Sequence, residues 1–584
     1  MNYLNPIYTE KRECQDCYKC VRHCPVKAIK VEGGYASVIA ELCIVCGHCV
    51  EVCPNGAKRV RDDLPRVRQL LATKERVLVS LAPSFVTGFS GLEPARLIHA
   101  LTRLGFHGVS ETALGAQQVS AQAAALLTAK PDGVLFSSAC PTIVSWLQKH
   151  QPDDSRFLTG LLSPLLTHCK LLRQHFGADI GIVFIGPCIA KKLEAQEHPE
   201  LLDAALTFED LRRWFEQEKL APETLPPTGS FVPERAAEGA WYPVDGGMIA
   251  GMKSVCAVND VSFMAFSGLA AVEKAIGGFG AEPVVPGGMF LELLACEGGC
   301  VNGPRAAHRT GTAAKRCEVF QYARKPPLAL PRRPELDSRS AFAVAAPPAV
   351  KYPDAQIREA LRQVGKLSRD DELDCGGCGY DSCCAFAEAL IRHKAERAMC
   401  VTYMRKLALK KANALIQKMP SAVVIVNDAM RIIEFNAAFA RLVGKAESGT
   451  PDAPPPLENL MLSEVLPFAN LFHSVLKSGE DIVDRDLRHK RTILHATIFT
   501  IEKHCVVGGI LQDITEPAVR KAEVIRKAQE VIQRSLATTQ KIACLLGENA
   551  AESEITLNSI IESFSPAEPE EPKEDHDWRK LYRP

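Results

Sequence analysis

Cysteine spacing is the most specific chemical signal in this chain, which has 22 cysteines in 584 residues. Residues 293–304 read LLACEGGCVNGP, so Cys296 and Cys300 stand four apart with Gly298 and Gly299 between them. Glycines let a backbone fold tightly against something bulky, and two thiolates at that spacing can grip one inorganic cluster. Two more cysteine fragments lie upstream, SSACP at 137–141 and GPCIAKKLE at 186–194. Nearer the N-terminus, CQDCYKCVRHC (14–24) is followed by Pro25 and CIVCGHCVEVC (43–53) by Pro54. Each is C-x2-C-x2-C-x3-C-P, a spacing that holds cubane iron–sulfur clusters, in which every iron takes one soft terminal ligand. Cys375, Cys378, Cys383 and Cys400 form a further set, C-x2-C-x4-C-x16-C. The chemistry on offer is single-electron transfer. Zinc is the competing occupant, above all for the last set, because spacing alone does not separate the metals.

Such thiols need a scaffold. RVLVSLAPSF (76–85) reads as a buried strand running into a loop, and LGFHGVSETALG (104–115) as a helix end, strand and turn. The apolar runs GVLFSS, IGIVFIG and SVCAV then alternate with helical segments. This predicts an α/β domain of largely parallel strands ending near Arg324, with the cysteine motifs just after strands, where α/β folds place their sites. Residues 324–353 are Pro-rich and weakly patterned, which predicts a linker. From residue 414, ALIQKMPSAVVIVNDAMRIIEFNAAFARLVG predicts a helix, a strand, a turn at 427–428, a second strand and another helix. RTILHATIFTI and HCVVGGILQDIT supply closing strands.

Ala518, Ala522, Ile525, Ile532 and Leu536 predict a short coiled-coil seam, a helix packed back on its own sheet being the alternative. A second helical piece follows, and the acidic, Pro-rich end reads as disordered. At ~150 residues per domain the length predicts about four domains. Lys plus Arg equals Asp plus Glu at 69 each, so a polybasic surface for nucleic acid or membrane is unsupported. No apolar run approaches the ~20 residues of a membrane span, and no secretory h-region is visible. Cysteines in metal-type spacings predict a reducing, cytoplasmic setting rather than disulfides.

The doubled run is that of two-cluster bacterial ferredoxins, in which the fourth cysteine ligates the other cluster. Cys14, Cys17, Cys20 and Cys53 would then take one cubane, and Cys43, Cys46, Cys49 and Cys24 the second. In order, SSACP, GPCIAKKLE and LLACEGGCVNGP resemble the signature segments of iron-only (FeFe) hydrogenases, and the likeness covers roughly residues 1–410. The resemblance implies that Cys140, Cys188, Cys296 and Cys300 hold the cubane of a six-iron H-cluster. Cys300 would also bridge to a diiron subsite carrying CO, CN and a dithiolate amine. It further implies that Lys191 binds a cyanide ligand and that Ala82 and Pro83 line the diiron pocket. Isolated buried cysteines are the competing reading of these thiols. Cys169, Cys256 and Cys317 read as core or surface residues, and Cys384 as a spare.

The departures from the family pattern fall on the proton route. Catalytic members relay protons through a cysteine just before the first ligand; here that position is Ala139. Two relay glutamates are replaced by Ala123 and Leu126 in the acid-free stretch AQQVSAQAAALLTAK (116–130). Methionines flanking the diiron site become Gly186 and Leu294, and a pocket phenylalanine becomes Tyr242. Acid–base relays contribute on the order of 10²–10⁴-fold, so a site without one should bind H2 or turn it over slowly.

Residues 355–410 resemble a small four-cysteine iron–sulfur domain, and 411–516 resemble a PAS domain, a sensing and dimerisation module. His473, His489, His495 and His504 read as ordinary histidines, with no PAS cofactor expected. The expected fold is multidomain α/β and α+β: a two-cluster 4Fe-4S ferredoxin fold (1–70), an H-cluster α/β domain (75–325), a linker (326–354), a four-Cys 4Fe-4S domain (355–410), a PAS domain (411–516), signalling helices (517–564) and a disordered tail (565–584). The expected function is a sensory, ferredoxin-linked FeFe hydrogenase of low turnover that relays redox state to its PAS domain. A working ferredoxin-linked hydrogenase and a non-catalytic iron–sulfur scaffold remain open. The implied partners are H2, ferredoxin or a similar electron carrier, hydrogenase maturation proteins, a kinase or phosphatase, and a second copy joined through the PAS domain and helices. Neither nucleic acid nor membrane is expected.

Overall fold

The computed structural model describes residues 5–129, 132–255, 261–277, 279, 288–306, 310–323, 335–348, 350–444, 457–489, 492–514, 530–531 and 533–535. The chain divides into two compact units, Met1–Glu396 and Arg397–Pro584. The first begins with β1 (Ile7–Thr9), β2 (Ile29–Glu32), β3 (Tyr35–Val38) and β4 (Lys58–Val60), paired antiparallel as β1 with β4 and β2 with β3. Each cysteine run enters a four-residue helix, Lys19–Arg22 or His48–Glu51. The turns before those helices repeat one another. Asp16 and Tyr18 in the first, and Val45 and Gly47 in the second, have left-handed backbones, which bends the chain around the thiols.

The α/β domain holds its strands in two parallel sheets. β5 (Val77–Leu81), β6 (Gly108–Glu111), β8 (Gly181–Gly186) and β9 (Ala204–Thr207) form one, in the order β6-β5-β8-β9. β7 (Val134–Phe136), β10 (Ser262–Ser267) and β11 (Met289–Leu294) form the other, in the order β10-β11-β7. β5, β6, β7, β8 and β9 are buried along their whole length, as near-continuous apolar runs in parallel sheets should be. The ferredoxin-like module packs on this domain. Ile44 joins the core beneath the second sheet, and Gly47 lies so close that a Cβ there would sit 2.5 Å from Pro304 Cβ.

Two expectations change. SVCAV (254–258) is not seen as a strand: its start ends the helix Gly247–Val255, whose apolar face buries Met248, Ile249 and Met252, and its remainder lies outside the described residues. The strand falls at β10 instead. The segment read as a linker is, over 335–345, a strap on the domain. Gln118 Oε1 accepts Glu335 N at 2.9 Å, Gln122 binds the backbone of Leu336 and Ser338, and Leu162 N donates to Ser338 O at 2.7 Å. Glutamines on the helix Ala113–Ala129 give this patternless segment its partners, which its own sequence does not reveal. The helices Asp354–Arg362 and Cys383–Ile391 follow and share a small core of Ala360, Leu361, Cys383 and Ala387.

In the second unit the helix Val401–Lys418 precedes β12 (Ala422–Asn427), β13 (Ile432–Phe435), β14 (Ile482–His489), β15 (Thr492–Glu502) and β16 (Val506–Asp513). They form one antiparallel sheet in the order β13-β12-β16-β15-β14. Asn436, fully buried, caps the helix Ala437–Leu442 by accepting Phe439 N at 2.9 Å, and also accepts Val423 N at 2.9 Å. Most of the signalling helices and the whole tail lie outside the described residues. Among the described residues no helix is long and apolar enough to cross a membrane.

Candidate metal centre

The C-terminal ends of strands from both sheets converge on one cavity of about 110 Å³. Ala82 and Pro83 follow β5, Cys188 follows β8, Ala139 and Cys140 follow β7, and Leu294 ends β11 just before Cys296. Cys300, Lys191 and Tyr242 complete the predicted set in the same lining. Gly298 and Gly299 have φ of +76° and +96°. A Cβ on Gly299 would lie 2.4 Å from Pro243 O, so the turn that aims Cys296 and Cys300 inward admits no side chain there.

Lys191 is 9% exposed. Its Nζ donates to Ser163 Oγ at 3.0 Å and pairs with Glu194 Oε2 at 2.6 Å. Burial alone would lower the ammonium's pKa, but Glu194 and Cys188 outweigh it and hold the group above its usual range. The next residue fixes the helix Lys191–Glu197 in place: fully buried Lys192 reaches Asp210 at 2.9 Å and Asp63 at 3.4 Å. Burial and neighbouring thiols push the cysteines up, Cys188 to about 11 and Cys296 and Cys300 further. Thiols crowded in an apolar pocket do not ionise together unless a cation neutralises them. Among the described residues no three His, Cys, Asp or Glu side chains converge where a single metal ion would sit; these four thiols stand around a cavity instead. Ser84 Oγ, also in the lining, is buried without a hydrogen-bond partner. Soft donors, a buried cation and an orphaned hydroxyl around one space fit an anionic iron–sulfur group with polar ligands.

The proton-route positions are apolar in fact as well as in sequence. Ala123 lies in a core cluster with Val119, Leu127 and Met252, against which Leu126, Ala139 and Tyr242 pack. Gly186 is the one pocket position outside the lining. A Cβ there would fall 2.3 Å from Phe184 Cζ and 2.8 Å from Ala82 Cβ, so the Phe184 ring takes that room. Sequence reasoning missed Glu292. It is 2% exposed, its carboxylate accepts Ile249 N at 3.1 Å, and burial pushes its pKa up to about 7. It bears electrostatically on both Tyr242 and Cys300. An acid inside the apolar run MFLELL was the available signal. Tyr242 and Ser120 share a hydrogen bond of 3.0 Å.

In the ferredoxin-like module the thiols sort across the two runs. Cys20 is raised to about 11 by burial, with Cys17, Cys14 and Cys53 adding to it. Cys46 is raised to about 12, again by burial, with Cys24 and Cys43 adding. Cys46 and Cys296 line one polar cleft of about 890 Å³, which makes the second group the neighbour of the cavity. Cys375, Cys378 and Cys383 lie in the first unit, where Cys383 N donates to Asp374 Oδ1 at 2.5 Å. Cys400 precedes the helix Val401–Lys418 of the second unit. Cys169 is fully buried in the core, Cys317 and Cys384 are exposed, and Cys256 lies outside the described residues. His495 pairs with Asp486 at 2.7 Å, and His504 Nδ1 lies 3.0 Å from Leu476 O.

Residues 75–304 match the family described as iron only hydrogenase large subunit, C-terminal domain. Residues 6–54 match a 4Fe-4S dicluster domain, and 371–402 match an Fe-S cluster family. The NADP-reducing hydrogenase subunit HndD of Solidesulfovibrio fructosivorans is 26% identical over 372 residues, covering 50% of this chain and 62% of that protein. Iron hydrogenase 1 of Clostridium pasteurianum is 24% identical over 312 residues, covering 44% of this chain and 54% of the relative. The chain thus spans between half and two thirds of the length of these two relatives. A solved structure of a variant of the FeFe hydrogenase HydA1 from Chlamydomonas reinhardtii aligns at 18% identity with a TM-score of 0.38, covering 48% of this chain and 99% of that one. With an H-cluster-type domain over 75–304 joined to cysteine-bearing cluster domains on either side, the chain is a hydrogenase-like iron–sulfur protein of the FeFe hydrogenase family.

Proposed function

We propose that this protein is a sensory FeFe hydrogenase, which binds H2, turns it over slowly and passes its redox state to a sensor domain. One observation carries the reading: Cys140, Cys188, Cys296, Cys300 and Lys191 share a cavity lining with Ala139. Every thiol is kept where the relay cysteine is gone. The four cysteines would hold the cluster, with Cys300 shared between its two parts, while Lys191 and Ser84 would donate to its anionic ligands. Bound there, the H-cluster supplies H2 binding and cleavage into two protons and two electrons. Around it the chain excludes water with Ala139, Leu294, Phe184 and the apolar cluster behind them, and that same wall denies protons a quick way out.

Cys14, Cys17, Cys20 and Cys53 would hold one cubane, and Cys24, Cys43, Cys46 and Cys49 the other. The closeness of Cys46 to Cys296 supports single-electron exchange with the cavity. Cys375, Cys378, Cys383 and Cys400 would hold a further cluster. The second unit has the antiparallel sheet and buried Asn cap expected of a PAS domain, and we assign it dimerisation and signalling to a kinase or phosphatase, with no cofactor of its own. Hydrogenase maturation proteins would load the site, ferredoxin or an NADP-linked carrier would exchange its electrons, and the protein would work in the cytoplasm.

A working hydrogenase is the second reading, and Glu292 favours it. A carboxyl poised near neutrality beside Tyr242 and Cys300 holds a proton within the site. Infrared spectra of anaerobically matured protein, first under argon and then under H2, test the proposal. CO and CN bands that shift with H2, together with slow turnover, are expected. Fast turnover would move the assignment to the second reading, and verified maturation without such bands would leave an iron–sulfur scaffold.

A further inference from the structure

The cysteine loop of the four-Cys domain is docked on the ferredoxin-like module. A Cβ on Gly379, whose φ is +92°, would lie 2.9 Å from Val21 Cγ1 and 3.0 Å from Arg22 N. Arg22 ties the two together: Nη2 donates to Cys17 O at 3.1 Å and Nη1 to Gly377 O at 3.4 Å. Lys27 lies 3.5 Å from Asp381, Val31 N donates to Lys394 O at 2.9 Å, and Gly33 N donates to Glu396 Oε1 at 2.6 Å. Tyr380 is sealed into this junction. It is 5% exposed, and its ring centroid lies 5.8 Å from that of Phe386. Its hydroxyl is buried with no hydrogen-bond partner in the described residues. Burial keeps the hydroxyl protonated, and the two thiols that bear on it are Cys378 and Cys24, one from each domain.

An unpartnered buried O–H is costly. The sulfur atoms of iron–sulfur clusters accept hydrogen bonds, and those bonds set reduction potential. We propose that Tyr380 is a positioning residue that donates its hydroxyl hydrogen bond to the sulfur of the cluster on Cys24, Cys43, Cys46 and Cys49. The docked loop makes that cluster the exchange neighbour of the one on Cys375, Cys378 and Cys383. The inference rests on the reading that both sets hold clusters. A donor to sulfur stabilises the reduced, more negative form, so Tyr380 biases a shared electron toward the Cys24 cluster: what one site loses the other gains.

The test is a redox titration of the full-length, anaerobically prepared protein, followed by electron paramagnetic resonance with iron content per chain. Tyr380→Phe keeps the ring and its packing. It should lower the potential of the Cys24 cluster enough to change the electron-sharing constant by about three- to tenfold, tenfold being about 59 mV for one electron. The Cys14 cluster should not move. Gly379→Val, which prises the loop from Val21, should abolish the magnetic coupling between the two reduced clusters while iron content holds. Unaltered protein lacking the four-Cys cluster would overturn the underlying reading and the inference together. A full iron complement with an unchanged Cys24 potential in Tyr380→Phe, or a shift confined to the Cys375 cluster, would overturn the inference alone.

Discussion

At position 139 a methyl group packs with Leu126 and Tyr242 where a thiol would move protons. Ala139→Cys should therefore raise H2 turnover at least about tenfold, within the range general acid–base groups contribute. An assay normalised to iron content and infrared band intensity checks this. An unchanged rate would mean that another route already serves. Glu292 sets a different dependence. Its folded pKa of about 7 lies above the model carboxylate value of 4.5, so the folded chain holds a proton that the unfolded chain has released. Its contribution to stability is fully present below about 4.5 and is lost as pH rises to about 7. The loss is on the order of 3 kcal/mol, and Glu292→Gln should flatten it in anaerobic denaturant titrations. Lys192→Met leaves Asp63 and Asp210 buried without their cation and should cost about 3–5 kcal/mol. The cysteines and Lys191 were legible because spacing is a strong signal. Glu292 was not, because one acid in a strand looks like ordinary alternation until burial on both sides is known.

Among the elements, strands were read well wherever a run was apolar and short, as at β5, β7 and β8. The reading failed where identity depended on a partner. SVCAV has strand-like composition, yet its first residues continue a helix whose apolar face is set further upstream. β14 was overlooked because its residues, IVDRDLRH, lack an apolar run. The strap over 335–345 has no pattern of its own and is held by Gln118, Gln122 and the backbone near Leu162. Gln122→Ala removes the side chain serving Leu336 and Ser338, and should cost about 1–3 kcal/mol. Limited proteolysis of the native protein should then cut sooner within 335–345. The pairing of thiols across the two ferredoxin-type runs has its own test: Cys53→Ser should perturb the same resonance signal as Cys14→Ser, and a different one from Cys24→Ser.

For the molecule as a whole, the proposed signalling role requires that H2 reach the second unit. Hydrogen exchange of residues 401–514 should change between argon and H2 in matured protein and not in protein lacking the diiron subsite. Equal protection in both would remove the sensory role while leaving the metal site intact. The interleaving of the cavity's walls has a consequence for manufacture. β5 and β8 belong to one sheet, β7 and β11 to the other, and the chain visits them alternately before closing the turn at Cys300. A ribosome must finish all of them before any half of the cavity has its opposite wall. At ~5–20 residues per second that is roughly 15 to 60 s of translation during which the nascent chain has thiols but no chamber. Loading of the complete cofactor is thereby a task for the finished domain rather than the growing one.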